Sequence, residues 1–188
     1  IDTTAVNSRF ITVIDPDTYS GLVPDQSVTD IRAKMNESPP FRVLNTIITA
    51  ARVHSPNYYA MFGIQTADGQ HNNELKTYER FRGQNSANFR HGWLDFQTGQ
   101  FNPAGIPKNN FLKVAGVKYI LLPAGDGRIE LVENFGALDR AFIAHHYVVA
   151  KDDSEAVALM QDSSFDASST IILNEEPALA PAEPDSTF

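Results

Sequence analysis

The chain contains no cysteine, so disulfides, Cys-ligated zinc and thiol nucleophiles are excluded from its chemistry. No apolar run approaches the ~18 residues that a membrane-spanning helix needs. Basic residues are scarce: 15 Lys and Arg stand against 23 Asp and Glu, a formal net charge of -8. That balance argues against nucleic acid, because duplex binding needs clustered cations to neutralise phosphates. It equally disfavours electrostatic attachment to anionic lipid headgroups. Motifs of several enzyme classes are missing too. There is no G-x-S-x-G elbow, no G-x-G-x-x-G and no P-loop, so hydrolases and nucleotide-dependent enzymes have no motif support and no cofactor is expected. The first ten residues, IDTTAVNSRF, lack the basic start and apolar core of a signal peptide. The chain does not open with Met, which reads as a processed product or an excised piece of a larger protein.

What is present suits one domain. A chain of 188 residues buries roughly 70% of its unfolded surface and needs neither disulfide nor metal to hold a core. Residues 1–173 read as that domain. Residues 174–188, acidic and Pro/Ala-rich without periodicity, read as a linker or disordered tail.

Patterning gives a mixture of strands and helices. SRFITVI (8–14) reads as a strand closed by a turn at Asp15-Pro16-Asp17. Ser27 is expected to cap a short helix with Val28, Ile31 and Met35 on one face, stopped by Pro39-Pro40. Residues 41–50 and 57–66 read as two further strands. A helix is expected from Asn72 or Asn73 to Arg82, with Gly83 just beyond its end. Residues 84–109, rich in Asn, Gly, Gln and Pro, read as the longest irregular segment. Asn110 is expected to cap a helical turn over 111–115. VKYILLP (117–123) is the clearest strand and forms a hairpin with RIELVE (128–133) through AGDG. Residues 140–150 read as a strand. Asp152-x-x-Glu155 opens a helix carrying Val157 and Met160, and STIIL (169–173) closes a parallel crossover. The fold class is α+β, a mixed sheet with helices packed against it.

Candidate chemistry is sparse. Asp15 and Asp17 have the Asp-x-Asp spacing that can share one divalent cation, but a proline turn has the same composition. His145 and His146, adjacent on a strand, would point to opposite faces and could not share a metal. His54, His71 and His91 are scattered. Phe89, Trp93 and Phe96, interleaved with Arg90, His91, Asp95 and Gln97, could form an aromatic plate that stacks on a sugar ring while planar polar groups bond its hydroxyls. The same aromatics suit pinning a long loop to the core, and that reading is preferred. Lys118 and Arg140 each flank an apolar run and read as solvated or salt-bridged by default.

Six segments in order carry a family resemblance. They are AVNSRFI (5–11), PFRVLN (40–45), NYYAMFGIQTADGQHNNELKTYERF (57–81), FLKVAGVKYILLP (111–123), ENFGALDRAFIAHHYVV (133–149) and STIILNEE (169–176). This series resembles the extracytoplasmic region of YfhO-like multi-spanning bacterial membrane proteins. Gly69, His71, Leu75, Tyr78, Val117, Lys118, Tyr119, Arg140 and Ala141 match the family pattern. Asp68, Gln70, Glu74 and Gly116 stand where the family has Gly, Tyr, Lys and Asn.

The resemblance implies a place in a membrane glycosyltransferase-like protein of GT-C type, on the outer side of a bacterial membrane, with the parent's own membrane helices as partners. In that architecture the catalytic carboxylate lies outside the region matched here, so no catalytic residue is assigned. The expected role is recognition of a sugar, a lipid-linked sugar or an acceptor in envelope glycan modification. The residues expected to bind are Trp93, Phe89, Asp95, His71, Tyr78, Lys118 and Arg140. The alternative is a protein–protein assembly module of an envelope complex; a free-standing enzyme is the least supported reading.

Overall fold

A computed structural model describes residues 23–37, 40–46, 57–69, 74–95, 97–124 and 128–178. The expected strand at 8–14, the Asp15-Pro16-Asp17 turn, His54, His71, Phe96 and the chain beyond 178 lie outside the described residues.

The expected α+β class is what the structure shows. The first helix, α1, spans Gln26–Glu37. Its cap is Asp25 rather than Ser27: the Asp25 carboxylate accepts the Val28 N–H at 3.0 Å and the Ser27 hydroxyl at 2.6 Å. Ser27 is thereby left inside the first turn, buried against the Tyr59 hydroxyl at 3.0 Å. Val28 and Ile31 are fully buried, but Met35 is exposed, so the apolar face is shorter than its spacing suggests.

β1 (Arg42–Asn45), β2 (Val117–Pro123) and β3 (Ile129–Glu133) form one mixed sheet in that spatial order. β1 runs parallel to β2 and β3 antiparallel to it, with Leu44 opposite Ile120 and Ile120 opposite Val132. β2 is buried on both faces, as its near-continuous apolar run implies. Tyr119 and Leu121 face a cluster built from Val28, Ile31, Tyr58 and Tyr59. Ile120 faces another built from Phe89, Trp93, Ile106, Phe111 and Leu112. Helical segments therefore cover both sides of the sheet.

Residues 57–66 are not a strand. They form a helical turn, α2 (Tyr58–Met61), and only Thr66 bridges to Val43. Adjacent tyrosines on a strand would face opposite ways. Here both rings enter the same core, edge to face with centroids 5.2 Å apart. The Tyr58 hydroxyl accepts the Asp25 N–H at 2.9 Å and donates to the Val23 carbonyl at 2.8 Å. Burying two aromatics with their hydroxyls satisfied outweighs the local β-propensity.

Residues 84–109 are also more ordered in backbone than their composition suggests. After α3 (Lys76–Arg82) come a 3-10 turn (Gln84–Ser86), α4 (Ala87–Arg90), a bridge between Leu94 and Phe101, and a second 3-10 stretch (Pro103–Lys108). Asparagine side chains hold this region. Asn109, 5% exposed, caps α5 (Asn110–Val114) by accepting the Leu112 N–H at 2.9 Å. Its amide donates to the Asn88 and His91 carbonyls, each at 2.9 Å. The cap is thus one residue earlier than expected. Asn110 instead reaches across, donating to the Met160 and Phe165 carbonyls at 3.2 and 2.8 Å and accepting the Ala167 N–H at 3.3 Å.

The last unit is β4 (His146–Val149), α6 (Asp153–Gln161) and β5 (Thr170–Leu173). The two strands are parallel, as expected of the crossover, but they form a separate two-stranded sheet. β4 is shorter than the predicted 140–150 because β5 offers only four pairing residues; Arg140–His145 run outside the ladder. His145 and His146 are both exposed. Asp152 caps α6, accepting the Glu155 N–H at 2.9 Å, while Glu155 reaches back to the Lys151 N–H at 2.8 Å. Val157 and Met160 pack on the Phe89/Phe111 cluster as their spacing predicts. An apolar cavity of 340 Å³, floored by Phe111 and Ala167, separates α3 and α5 from α6 and β5.

Candidate functional site

The expected aromatic plate is not at the surface. Phe89 and Trp93 are 0% and 2% exposed, and the Trp93 indole donates to the Phe89 carbonyl at 2.7 Å. These rings pin the segment to the core, the preferred of the two sequence readings. Asp95 is exposed and closes a turn, accepting the Thr98 hydroxyl and the Gln97 N–H, both at 2.8 Å. Those two bonds hold its carboxyl below the ordinary value. Lys118 borders a separate small hollow with Glu133 and Asp139.

Tyr78 and Arg140 belong to a different place, where four distant segments meet. Arg42, at the start of β1, donates its backbone N–H to the Gly116 carbonyl at 2.9 Å and its guanidinium to the Ala115 carbonyl at 2.7 Å. Gly116 has φ +63, and a Cβ there would stand 3.3 Å from Arg140 Cδ. Glycine therefore serves two ends: it permits the left-handed turn into β2 and leaves room for Arg140. Arg140 donates to the Gln65 side chain. Burial, and next the nearby Arg140 charge, push the pKa of Arg42 down. Tyr78, on α3, donates its hydroxyl to the Ala67 carbonyl.

Arg42, Asn57, Thr66, Asp68, Glu74 and Tyr78 line an open hollow of 720 Å³. Glu74 and Arg82 close one side through a two-pronged ion pair at 2.9 and 2.6 Å. Asp68 is strongly perturbed. Burial drives its carboxyl up to about 6, opposed by a bond from the Asn45 backbone, by the Arg90 and Arg82 charges and by the Ser86 hydroxyl. Ser86 donates to Asp68 at 3.4 Å and accepts from Arg82 at 3.3 Å. To sit there, Asn85 and Ser86 adopt φ +51 and +60, left-handed values that cost non-glycine residues free energy. Left-handed non-glycine backbone beside a shifted carboxyl and two arginines makes this hollow the candidate site.

Of the residues lining this candidate hollow, sequence reasoning named Tyr78 but not Arg42 or Asp68; Arg140 stands beside Arg42 and outside the lining. One local signal was available: Tyr78 and Arg82 are four apart on one helix and share a face. Asp68 had none, because the groups around it come from Asn45, Ser86 and Arg90.

Chemically, the lining offers one guanidinium, two carboxyls, a phenol and an amide on an otherwise mostly apolar wall. These are donors and acceptors suited to gripping a polar ligand. Among the described residues, no group of three or more His, Asp or Glu is placed to hold a metal ion. No described helix is long and apolar enough to cross a membrane. The fold is α+β, and among the described residues an open hollow lies beside β1 of its mixed sheet. No protein-family model, curated protein or solved structure matches the chain, so the YfhO-like resemblance rests on its six segments alone.

Proposed function

We propose that this chain is a non-catalytic recognition domain of a membrane glycosyltransferase-like protein, acting on the outer side of a bacterial cell membrane. Its hollow holds a sugar or acceptor during envelope glycan modification. One observation carries the reading. Residues from four separate segments of the resemblance, FRVLN, ELKTYERF, VAGVKY and ALDRAF, come together around Arg42, Tyr78, Gly116 and Arg140. Planar carboxylate, amide and guanidinium groups beside a partly exposed phenol suit the paired hydroxyls and C–H faces of a sugar ring.

The test is a titration of the isotope-labelled chain with neutral hexoses, N-acetylhexosamines and uronic acids, followed by amide NMR shifts. Saturable shifts at Arg42, Asp68 and Tyr78, lost in Tyr78→Ala, support the reading. A flat response to every sugar refutes it. An assembly-module reading has one observation in its favour: Phe135 and Ile143 are 85% and 84% exposed on the segment that leads to β4.

A further inference from the structure

Away from the hollow beside β1, the apolar cavity of 340 Å³ lies between α3, α5, α6 and β5, and the two share no lining residue. Native interiors hold few voids larger than a water molecule, because a wall without neighbours forfeits its dispersion contacts. Here Phe81 and Phe111 form one side, and Val157, Met160, Ile171 and Ile172 the other. Val157 and Met160 touch the core cluster, but no residue of α6 or β5 is fully buried. Part of their apolar surface therefore faces the cavity.

Polar ties set how far apart those walls stand. Asn110 donates to the Met160 and Phe165 carbonyls and accepts the Ala167 N–H, and all three of these residues line the cavity. Arg80 on α3 and Asp153 on α6 form an ion pair at another point of the lining. Gln161 on α6 adds a bond to the Asn88 side chain at 3.0 Å. Such bonds are directional, so the walls cannot close on each other without breaking them. The lining runs from Phe111 and Ala167, both buried, to the Arg80 side chain, 63% exposed, so the cavity opens to solvent. An apolar interior with a few fixed polar groups at its rim is the general build of small-molecule sites.

Size and charge select the occupant. A protein cavity of about 150 Å³ with similar walls takes one benzene ring. At 340 Å³ there is room for about two fused rings or a chain of roughly eight to ten carbons. Arg80 and Asp153 are the charged residues of the lining, and they neutralise each other. An ionised head would have to displace one from the other, whereas Thr77, Thr170 and Asn174 can bond a hydroxyl or carbonyl. We propose that this cavity binds a neutral, largely hydrocarbon molecule of roughly eight to ten carbons, with at most one hydroxyl or carbonyl end. The occupant bridges α3 and α5 to the β4–α6–β5 unit and holds that unit in place.

The test titrates the full chain with butanol, hexanol, octanol, octanoate and naphthol, reading amide NMR shifts and the melting temperature. Expected are saturable shifts at Val114, Val157 and Ile171, with affinity rising about four-fold per methylene from butanol to octanol. A saturating alcohol should also raise the melting temperature. Octanoate should bind about ten-fold more weakly than octanol, because its charge must be desolvated. Octanol and naphthol separate a chain-shaped from a ring-shaped occupant, and saturable binding of either upholds the site. Ala156→Leu places a larger side chain in the cavity and should abolish the shifts. Thr77→Leu, at an exposed position on the opposite wall, does the same and serves if Ala156→Leu does not fold. No saturable response to any probe overturns the inference, as do shifts confined to the exposed Phe135 and Ile143. So does a response unchanged in the folded variants, or octanoate binding as tightly as octanol. The sugar reading concerns other residues and stands or falls separately.

Discussion

The Asp68→Asn substitution tests the electrostatic account of the hollow most directly. Burial holds this carboxyl at about 6 against an ordinary 3.8, despite two nearby arginines. A gap of that size corresponds to about 3 kcal/mol between the protonated and ionised forms. The sign follows from linkage. The folded state binds this proton more tightly than the unfolded chain, so its contribution is fully present below about pH 4. It is lost as pH rises through about 6. Asparagine keeps a carbonyl oxygen for the Asn45 N–H and the Ser86 hydroxyl but never ionises. Between pH 4 and pH 7, the variant should therefore gain about 3 kcal/mol in stability relative to the parent chain. Asp166 titrates the other way, held at about 2 by Ser168 and Lys113. Its contribution is present above the ordinary carboxyl value and lost as pH falls toward 2. Being largely exposed, it is worth less than about 1 kcal/mol and acts below the window used here. Urea unfolding at pH 4, 5, 6 and 7 measures the difference. Parallel pH profiles for the two proteins would refute the argument. So would a variant that loses stability as pH rises, because Asp68 would then be a net favourable ion pair with Arg90 and Arg82.

Other changes separate structural from binding roles. Trp93→Ala should cost about 3–5 kcal/mol by urea unfolding, because the ring fills core rather than surface; a cost below 1 kcal/mol would return it to the candidate binding residues. Asn109→Ala removes a helix cap and two buried hydrogen bonds, and should cost roughly 2–4 kcal/mol by the same assay. In Gly136→Ala the new Cβ would lie 2.4 Å from the Pro107 carbonyl oxygen. The backbone must shift to admit it, at about 1–3 kcal/mol, read as a lowered melting temperature. Arg80→Ala breaks an exposed pair with Asp153 and should change stability by less than about 1 kcal/mol.

Where local pattern and tertiary packing agree, the fold could be read from sequence. VKYILLP is apolar enough to be a central strand whatever surrounds it, and Asp152 with Glu155 announces α6 within four residues. Where burial is decided by distant partners, pattern misled. Tyr58 and Tyr59 look like strand residues until Val23, Asp25 and Ser27 are brought to their hydroxyls. The segment 84–109 looks like a loop because Asn, Gly and Pro favour turns. Those same asparagines make the side-chain-to-backbone bonds that order it, a role composition cannot express. The site was half legible for the same reason. Tyr78 and Arg140 stand in the matching segments, whereas the shift of Asp68 comes from a burial that exists only in the folded chain.

Asn110 has a kinetic consequence. The unit β4–α6–β5 shares no strand pairing with the larger sheet. It is joined to the rest by this one side chain at three backbone groups, by the Lys113–Asp166 pair at 2.9 Å, by the Arg80–Asp153 pair, by the Gln161 amide donating to the Asn88 side chain at 3.0 Å, and by apolar contacts beside a cavity. Such a unit can detach and reclose while the β1–β2–β3 core stays folded, a sub-global opening of the kind hydrogen exchange resolves. The amides of β4 and β5 would exchange as one group, faster than those of β2. Asn110→Ala would quicken that group and leave β2 unchanged, so this amide side chain acts as one latch of the unit spanning 146–173.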